Sequence, residues 1–456
     1  MAPHGTSRPK SLRAPLTLLA ALAALAAMPA LAVVPGLPAV AQQRIFADGF
    51  ECGFTFGWSA TAPPPPPRLE LTSPPGDLDD VAGIIPLGSA HPGPGSGSGH
   101  VIPVHHMYLN YLFPVNGGAN AYDVRALAAG EVVIVNWTHQ TSGAPADDYG
   151  IYLHFGDALT AWFEHVHELS AALMEHLVTY SASWHEVSLG FKVMFLGQNG
   201  QPPTLAVAAG EILGSTRDYT SSWDVGMVDA CRTSLSANPG PRRYPTFVEL
   251  AAAAGIALPA EPFPGNKFHN GVCFLDYLSP SLRPDWEALL VSTPQSCGRV
   301  IWDLPGTLQG TWFNPAVDSW PDESVLLRLE KAAFAIVPSA LHPETEIQIS
   351  IASGDADLSA LDPDGSEPQL ANAFLVAFDS TPGAVVDPAP SAVGPDTTVC
   401  YDLAHTGNPF WDRLYLRLDA ATGELAIAYE PLAAATPQCP APPFPEPIPW
   451  DTSYRR

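Results

Sequence analysis

Hydrophobic and polar residues alternate over short stretches between Leu69 and about Leu290, and turn residues separate these stretches. Alternation bounded by Gly, Pro, Asn and Asp predicts half-buried β-strands joined by tight turns. The clearest stretches are VRALAAGEVVIVNW, GIYLHFG, TAWFEHV and LAVAAGEILG. The pattern therefore predicts a mainly β domain over residues 69–290.

One segment of this region follows a helical period instead. ELSAALMEHLVTY places Leu169, Leu173, Met174, Leu177 and Val178 on a single helix face. We expect an amphipathic helix that is inserted at the rim of the β domain.

A second β-rich unit, a sandwich or barrel-like domain, is predicted over residues 297–440. Its strand candidates are SVLLRLEKAAFAIV, EIQISIA, AFLVAFD, TTVCYDL, LYLRLD and GELAIAYE. Trp302 and Trp312 either stack on sugar rings or fill the core of this unit, and burial is the commoner role. Residues 441–456 form a Pro-rich tail that we expect to be extended or unstructured.

Residues 1–41 have the pattern of a signal peptide. Arg8, Lys10 and Arg13 precede the apolar run LTLLAALAALAA, and small-residue cleavage sites follow. The run is too short for a membrane span, and no other segment approaches about 20 apolar residues. Residues 42–68 combine a short exported-protein tract with a Pro-rich linker. The sequence therefore predicts a secreted protein or one in the periplasm or cell envelope.

The net charge of the chain narrows the classes of partner that it can bind. The net charge of −26 at pH 7 becomes −29 without the three basic residues of the signal peptide. A surface this acidic repels nucleic acid and anionic membranes, so we expect neither as a partner.

The six cysteines of an exported chain predict disulfides, although six cysteines allow fifteen connectivities. We expect Cys231–Cys273 and Cys400–Cys439, because each pair lies within one unit and closes a loop of about 40 residues.

Ten of the fourteen histidines fall within residues 91–185. Imidazole is the commonest protein metal ligand and titrates near neutral pH, so metal binding or proton transfer is expected in this segment. Adjacent strand positions face opposite sides, so at most one of His105 and His106 points into a shared site. His165 and His167 are two positions apart and face the same side. The alternative is a histidine-rich surface on an ordinary β domain.

Short motifs follow one another in a fixed order through the middle of the chain. They are HMYLN (His106, Asn110), a Val124–Val132 hairpin motif, a Tyr149–Gly150 turn, FEHV (His165), a Val207–Gly214 turn motif and SWDVG (Ser222, Asp224). In this order they resemble the lysostaphin-type zinc endopeptidases, which cleave peptide cross-links in bacterial cell walls. The resemblance implies that about residues 80–230 form the paired β-sheets known as a duplicated hybrid motif.

The resemblance also implies a zinc site, at which the family uses a histidine, an aspartate and a final histidine. By position, the ligands here are His106, Asn110 and Asp224, and His165 takes the proton-transfer role. Asparagine is a poorer zinc ligand than aspartate, whereas a carboxylate can replace imidazole. Hydrolysis needs three protein ligands and one open position, and His167 is an alternative third ligand.

Three functions stay open at this point. The first is an exported zinc metalloendopeptidase that hydrolyses peptidoglycan or related peptides. The second is a catalytically inactive binding or regulatory module on the same fold, which is favoured by Asn110 and by Ser222, the latter standing where the family has a histidine. The third is an unrelated secreted β protein. The sequence contains no serine-hydrolase elbow, HExxH helix, phosphate loop or dinucleotide fingerprint.

Overall fold

A computed structural model gives the fold of most of the chain after residue 68. The described residues are 69–89, 103–112, 119–140, 146–156, 158–188, 191–198, 200–218, 222–232, 270–313, 333–351, 372–404, 411–431, short pieces of 439–454, and residues 252 and 267. The predicted signal peptide at 1–41 and the tract and linker at 42–68 lie outside them. All belong to one compact unit, Pro67–Arg456. No helix in the described ranges has the length and apolar character to cross a membrane.

The protein is mainly β, as the alternation predicted. Within the described ranges the strands are β1 (Val81–Ile85), β2 (His106–Tyr111), β3 (Ala121–Arg125), β4 (Gly130–Gln140), β5 (Ala146–Phe155), β6 (Leu159–Val166), β7 (Glu168–Leu169), β8 (His185–Ser188), β9 (Phe191–Phe195), β10 (Leu205–Val207), β11 (Ile212–Arg217), β12 (Ser222–Asp229), β13 (Gly310–Phe313), β14 (Ala333–Pro338), β15 (Glu346–Ile351), β16 (Asn372–Ala377), β17 (Thr398–Ala404), β18 (Trp411–Leu418), β19 (Leu425–Pro431) and β20 (Thr452–Tyr454). The helices there are α1 (Ala171–Thr179) and α2 (Arg283–Glu287), with 3₁₀ turns at Leu78–Asp80, Ser181–Ser183, Phe274–Tyr277 and Pro390–Ala392.

The described strands form four antiparallel sheets. The large sheet has the order β1-β2-β12-β6-β5-β4-β9-β8, with β10 paired to β4, and the small sheet has the order β3-β11-β7. The other two sheets are β13-β14-β15-β16 and β17-β18-β19-β20.

The two faces of the large sheet differ in character. The inner face carries apolar side chains such as Leu109, Phe163 and Val225, which build the main core together with the small sheet and helix α1. The outer face carries the residues that alternate with these, among them His106 and Asp224. The candidate functional residues therefore lie on the outer face, and the apolar inner face fixes their register.

The glycine turns of the lysostaphin-like motifs connect the two sheets. Strand β3 lies in the small sheet and β4 in the large sheet, so the chain crosses between the sheets after β3. It crosses again at Gly210, whose φ is 78°, because β10 pairs with β4 of the large sheet and β11 pairs with β3 of the small sheet. The expected strands and turns are present, but the hairpin expected at Val124–Val132 is wrong. A connection that crosses between sheets leaves β3 and β4 without pairing to each other. The duplicated hybrid motif stays a prediction.

Helix α1 is shorter than the predicted segment. The Ser170 hydroxyl accepts the backbone N–H of Leu173 and caps the helix, so the residues before it are free to form β7. Leu173 and Leu177 are buried, whereas Met174 and Val178 are 38% and 64% exposed. The predicted apolar face was therefore too wide, because the helix buries only one row of side chains at its surface position.

Strands β13–β20 enclose a hydrophobic core of their own. Trp312 is fully buried there and donates its indole N–H to the Leu308 carbonyl at 2.9 Å, so its interpretation as a core residue is correct. The Pro-rich tail contributes β20, which pairs with β19, and its Phe444 and Ile448 pack near a disulfide. The second β unit therefore continues past residue 440.

The disulfides confirm one predicted pair and correct the other. Cys400–Cys439 is present, and Cys273 pairs with Cys297 rather than with Cys231. The antiparallel bridge between Val228 and Gly271 explains the error. In that register Cys231 and Cys273 are offset by about five residues, or roughly 17 Å along the strands, whereas a disulfide requires α-carbons within about 7 Å.

Two carboxyl groups lie together in the second β unit. The Asp387 carboxylate accepts the backbone N–H of Asp402 at 2.9 Å, and the backbone N–H of Asp387 donates to the Cys400 carbonyl. Burial, together with the negative charge of Asp402, raises the pKa of Asp387 to about 6. The folded state therefore binds a proton at Asp387 more tightly than the unfolded chain does.

We expect this unit to lose stability as the pH rises from about 4 to about 6. Protonated Asp387 contributes up to about 3 kcal/mol below its unfolded pKa, and this contribution is lost as the pH passes through its folded pKa. Urea unfolding of the wild type should show this fall, and Asp387→Asn should remove it. Asparagine tolerates the positive φ of 45° at this position and keeps the acceptor. An unchanged pH profile in the variant would contradict the assignment.

Candidate metal centre

The candidate site lies on the outer face of the large sheet, where β2, β12 and β6 run side by side. Asp224 of β12 is paired with Glu164 of β6, and the next row across the same strands holds His106, Gly226 and Trp162. Paired residues on one face of a sheet lie about 5 Å apart. The two rows therefore bring an imidazole and two carboxylates within reach of one another.

His106, Glu164 and Asp224 form what we call the ligand group. Each offers one ligand atom, and these atoms all lie within 4.8 Å of one another. His106 Nε2 lies 3.3 Å from Asp224 Oδ2, and both side chains are buried. Glu164 is more accessible, with 27% of its side chain exposed. The group is therefore buried on its His106 side and opens to solvent at Glu164.

A β-bulge brings His165 to the same face. In the β5–β6 ladder, Glu164 and His165 together lie opposite Gly150. His165 has a φ of 65°, in the left-handed region that residues with a Cβ rarely adopt. The extra residue and this backbone conformation turn the ring to the outer face, where Nε2 lies 3.5 Å from Asp224 Oδ2. The structure thus brings together three residues that the resemblance implied, namely His106, Asp224 and His165.

Asp148 holds the other ring nitrogen of His165. The Nδ1 atom lies 2.9 Å from Asp148 Oδ2, and 35% of the His165 side chain is exposed. Burial disfavours the charged ring, but the carboxylates of Asp148 and Asp224 outweigh it and raise the pKa of His165 well above its usual value. The two carboxylates therefore favour the protonated ring of His165, which links Asp148 to Asp224.

His167 is directed to the small sheet. Strand β6 ends at Val166, and His167 Nδ1 accepts the backbone N–H of Arg217 in β11 at 3.0 Å, with Thr216 Oγ1 at 3.4 Å. Burial lowers the pKa of His167. The expectation that His165 and His167 face the same side is wrong, because the bulge and the end of β6 break the alternation. His167 is not part of the ligand group.

His105 reaches the outer face as well as His106. Its ring centroid lies 5.2 Å from that of His106 and 5.3 Å from that of Trp162, which is an outer-face residue. The expectation that at most one of this pair faces the site is wrong. The chain bends at His105 before β2 begins at His106, so the strand alternation does not include it.

Asn110 and Ser222 are paired with each other at the far end of the β2–β12 ladder. Four residues of extended strand separate Asn110 from His106, which puts their α-carbons about 13 Å apart. Glu164 rather than Asn110 therefore completes the group with His106 and Asp224. Ser222 is buried at this end of the ladder.

Lys267 supplies a positive charge beside the ligand group. Its Nζ donates to Tyr152 Oη at 2.8 Å and lies 3.3 Å from Glu164 Oε1, which also accepts the Tyr152 hydroxyl at 3.0 Å. Burial alone would raise the pKa of Glu164, but the charges of Lys267 and His106 outweigh it and lower the pKa. Glu164 is therefore ionised, and both contacts use Oε1, which leaves Oε2 for a cation.

The residues present fit a zinc ion. Zinc is bound in catalytic sites by three protein ligands drawn from histidine and carboxylate side chains, with one further position for water. The ligand group offers one imidazole and two carboxylates, and the contacts of Glu164 to Lys267 and Tyr152 are the kind of outer hydrogen bonds that orient ligating carboxylates. The mixed nitrogen and oxygen donors suit zinc better than calcium or magnesium, which prefer oxygen.

Comparisons of the chain with protein-family models, with curated proteins and with solved structures gave no match. The lysostaphin-type resemblance therefore rests on its motifs.

Sequence reasoning missed three residues of the site. Glu164 was hidden because it precedes His165 in a strand, where alternation puts neighbours on opposite faces. Asp148 lies 17 residues before His165 and is brought to it only by the register of β5 with β6. Lys267 carries no local motif. The sequence spacing of Glu164 and Asp148 from His165 therefore does not indicate that these residues lie close together.

Zinc affinity distinguishes Glu164 from Asn110 as the third ligand. We expect Glu164→Gln to weaken zinc binding by more than about a hundredfold, since loss of an outer hydrogen-bond partner alone costs about 10–100-fold. Asn110→Ala should bind zinc like the wild type. Isothermal titration with zinc measures both. Because Glu164→Gln leaves Lys267 without its ion pair, the double variant with Lys267→Met is the matched control for folding. Weakened binding in Asn110→Ala alone would restore the sequence-based assignment.

Proposed function

We propose that residues 69–290 form a zinc-dependent peptide hydrolase of the lysostaphin type, which acts on peptidoglycan or related peptides. The observation that carries the proposal is the His165–Asp148 pair, whose second ring nitrogen, His165 Nε2, lies 3.5 Å from Asp224 Oδ2 of the ligand group. Metal-assisted hydrolysis requires this combination of three ligands and an adjacent acid–base residue.

In this proposal His106, Glu164 and Asp224 would hold the ion. When bound, zinc polarises the water and the substrate carbonyl and opposes the protonation of His165 by its charge. His165 Nε2 accepts a proton from water as the water oxygen bonds to the carbonyl carbon. It passes that proton to the amide nitrogen as the C–N bond breaks. Asp148 accepts the Nδ1–H of His165, which fixes the tautomer and stabilises the imidazolium.

Export is part of the proposal. Disulfides such as Cys273–Cys297 and Cys400–Cys439 form and persist in oxidising compartments outside the cytosol. The signal-peptide pattern at residues 1–41 supports the same location. The peptide cross-links of a cell wall lie in these compartments, so enzyme and substrate class would meet there.

The test of catalysis is His165→Ala. We expect this variant to bind zinc like the wild type and to lose hydrolysis of pentaglycine or of soluble peptidoglycan fragments by at least about a hundredfold, because it lacks the acid–base group. Zinc titration and product analysis by chromatography measure the two effects separately. A chelator should abolish the wild-type rate, and added zinc should restore it.

His139→Ala is the matched control. His139 also pairs with an aspartate, Asp147, at 3.1 Å, but both side chains are about half exposed (47% and 45%) and neither lies in the ligand group. This variant should keep the wild-type rate and zinc affinity. Equal rates for wild type and His165→Ala, or turnover that survives the chelator, would contradict the proposal.

One observation favours a second function, a metal-free binding module on the same fold. Lys267 lies 3.3 Å from Glu164, has only 11% of its side chain exposed, and already neutralises part of the charge that a zinc ion would neutralise. In such a module, Lys267 and the His165 imidazolium would balance the buried carboxylates permanently. The outer face would then bind peptides without cleaving them.

Lys267→Met separates the two functions. In the hydrolase, removing a positive charge beside Glu164 should raise zinc affinity, and zinc should restore stability. In the metal-free module, the variant should lose about 3–5 kcal/mol of unfolding free energy, because Glu164 is left without its partner, and zinc should not restore it. Urea unfolding with and without zinc gives the answer.

A further inference from the structure

Asn136 lies across Gly150 on the outer face, next to the bulge that carries His165. Strand β4 pairs Asn136 with Gly150, and the Asn136 Oδ1 accepts the Gly150 backbone N–H at 2.6 Å. A Cβ added to Gly150 would lie 2.4 Å from Oδ1, 2.6 Å from Nδ2 and 2.7 Å from Cγ. The carboxamide therefore occupies the space in which a side chain of residue 150 would stand.

The carboxamide lies over the glycine that pairs with the bulge on β6. Gly150 lies opposite Glu164 and His165 in the β5–β6 ladder, and neighbouring strands are about 4.8 Å apart. The Asn136 side chain thus projects from β4 over β5 toward β6. On β5, the side chains on either side of it along the same face are Asp148, which holds His165, and Tyr152, which holds Glu164.

The orientation of the carboxamide is fixed by its acceptor. A backbone N–H can only donate, so the atom that receives it must be the oxygen of Asn136, and the Nδ2 group is directed elsewhere. Within the described residues Nδ2 makes no hydrogen bond, and the side chain is half-buried rather than enclosed. The Nδ2 group is therefore held over Gly150 on the outer face, and Gly150 lies opposite Glu164 and His165 in the ladder.

We propose that Asn136 Nδ2 donates a hydrogen bond to the carbonyl oxygen of the substrate peptide, an inference that rests on the proposed hydrolase function. Negative charge develops on this oxygen as the water oxygen bonds to the carbonyl carbon and the water proton passes to His165. A preorganised amide donor stabilises that charge without reorientation. Asn136 would thus serve the oxyanion, while Asp148 and His165 serve the proton.

Asn136→Asp is the decisive variant, because a carboxylate keeps the acceptor for the Gly150 N–H and lacks the donor. We expect kcat to fall by about 10²–10³, as for loss of one oxyanion donor, with KM, zinc content and Tm close to the wild type. The affinity for a glycyl-glycine phosphinate peptide, in which a phosphinate replaces the peptide carbonyl, should fall at least tenfold. Gln295→Glu makes the same amide-to-acid change at an exposed site and should leave all these quantities unchanged.

A direct readout does not depend on turnover. In protein labelled with ¹⁵N-asparagine, the Nδ2 proton resonances of Asn136 should shift when the phosphinate peptide binds. If the wild type binds zinc and is active, this inference alone is overturned when Asn136→Asp is equally fast and the Nδ2 resonances do not shift. A variant that loses activity only because Tm and zinc content fall would assign Asn136 a structural role and also overturn it. A wild type without zinc binding or turnover would overturn the proposed function and the inference with it.

Discussion

The bulge at Glu164 and His165 is the constraint on which the arrangement of the site depends. Without the extra residue opposite Gly150, these two side chains would face opposite sides of the sheet. Glu164 shares the outer face with Trp162 by regular alternation, and the bulge adds His165, which reaches both Asp148 and Asp224. A left-handed backbone at a histidine costs on the order of 1–3 kcal/mol and persists only where its surroundings hold it. The contacts of the His165 ring with Asp148 and Asp224 stabilise this backbone conformation.

The charges of the site explain how so many ionisable groups tolerate partial burial. Three carboxylates, Asp148, Glu164 and Asp224, face two cations, Lys267 and the imidazolium of His165. Buried charges are tolerated when they are paired and hydrogen-bonded, and removal of one partner is strongly destabilising. When His106 is neutral, as a metal ligand must be, the carboxylates exceed these cations by one charge, and this surplus attracts a metal ion. A metal ion would neutralise this surplus negative charge in a hydrolase. In a metal-free module, the cationic side chains of the cluster would have to balance it.

Period-two alternation was sufficient to predict the strands, because regular antiparallel pairing preserves alternation. The convergence of His106 and Asp224 followed from the order of the motifs. Alternation failed wherever the chain leaves the regular strand. Alternation is broken at three places: the bend at His105, the bulge at His165 and the end of β6 before His167. At each of them the side chain lies on the other face from the one that alternation predicts. The third ligand was misplaced for a different reason: Asn110 lies four residues along a regular strand from His106, whereas Glu164 is brought to the group by the pairing of β6 with β12, which its local sequence does not encode. Long-range register also decided the Cys273–Cys297 pair.

Two glycines show why the outer face can be crowded with polar groups and still remain ordered. A Cβ on Gly226 would lie 2.0 Å from the Trp162 ring, just as one on Gly150 would meet the Asn136 carboxamide. At both positions a side chain from the neighbouring strand lies flat across the glycine, and Lys267 packs over the Trp162 ring at 4.5 Å. Gly150, which the sequence pattern assigned to a turn, and Gly226 therefore both lie inside strands, where they permit close approach rather than conformational freedom. The Asn136 carboxamide and the Trp162 ring can therefore lie flat on the outer face, on the strands that carry the ligand group and on those next to them, because no side chain at residues 150 and 226 occupies that space.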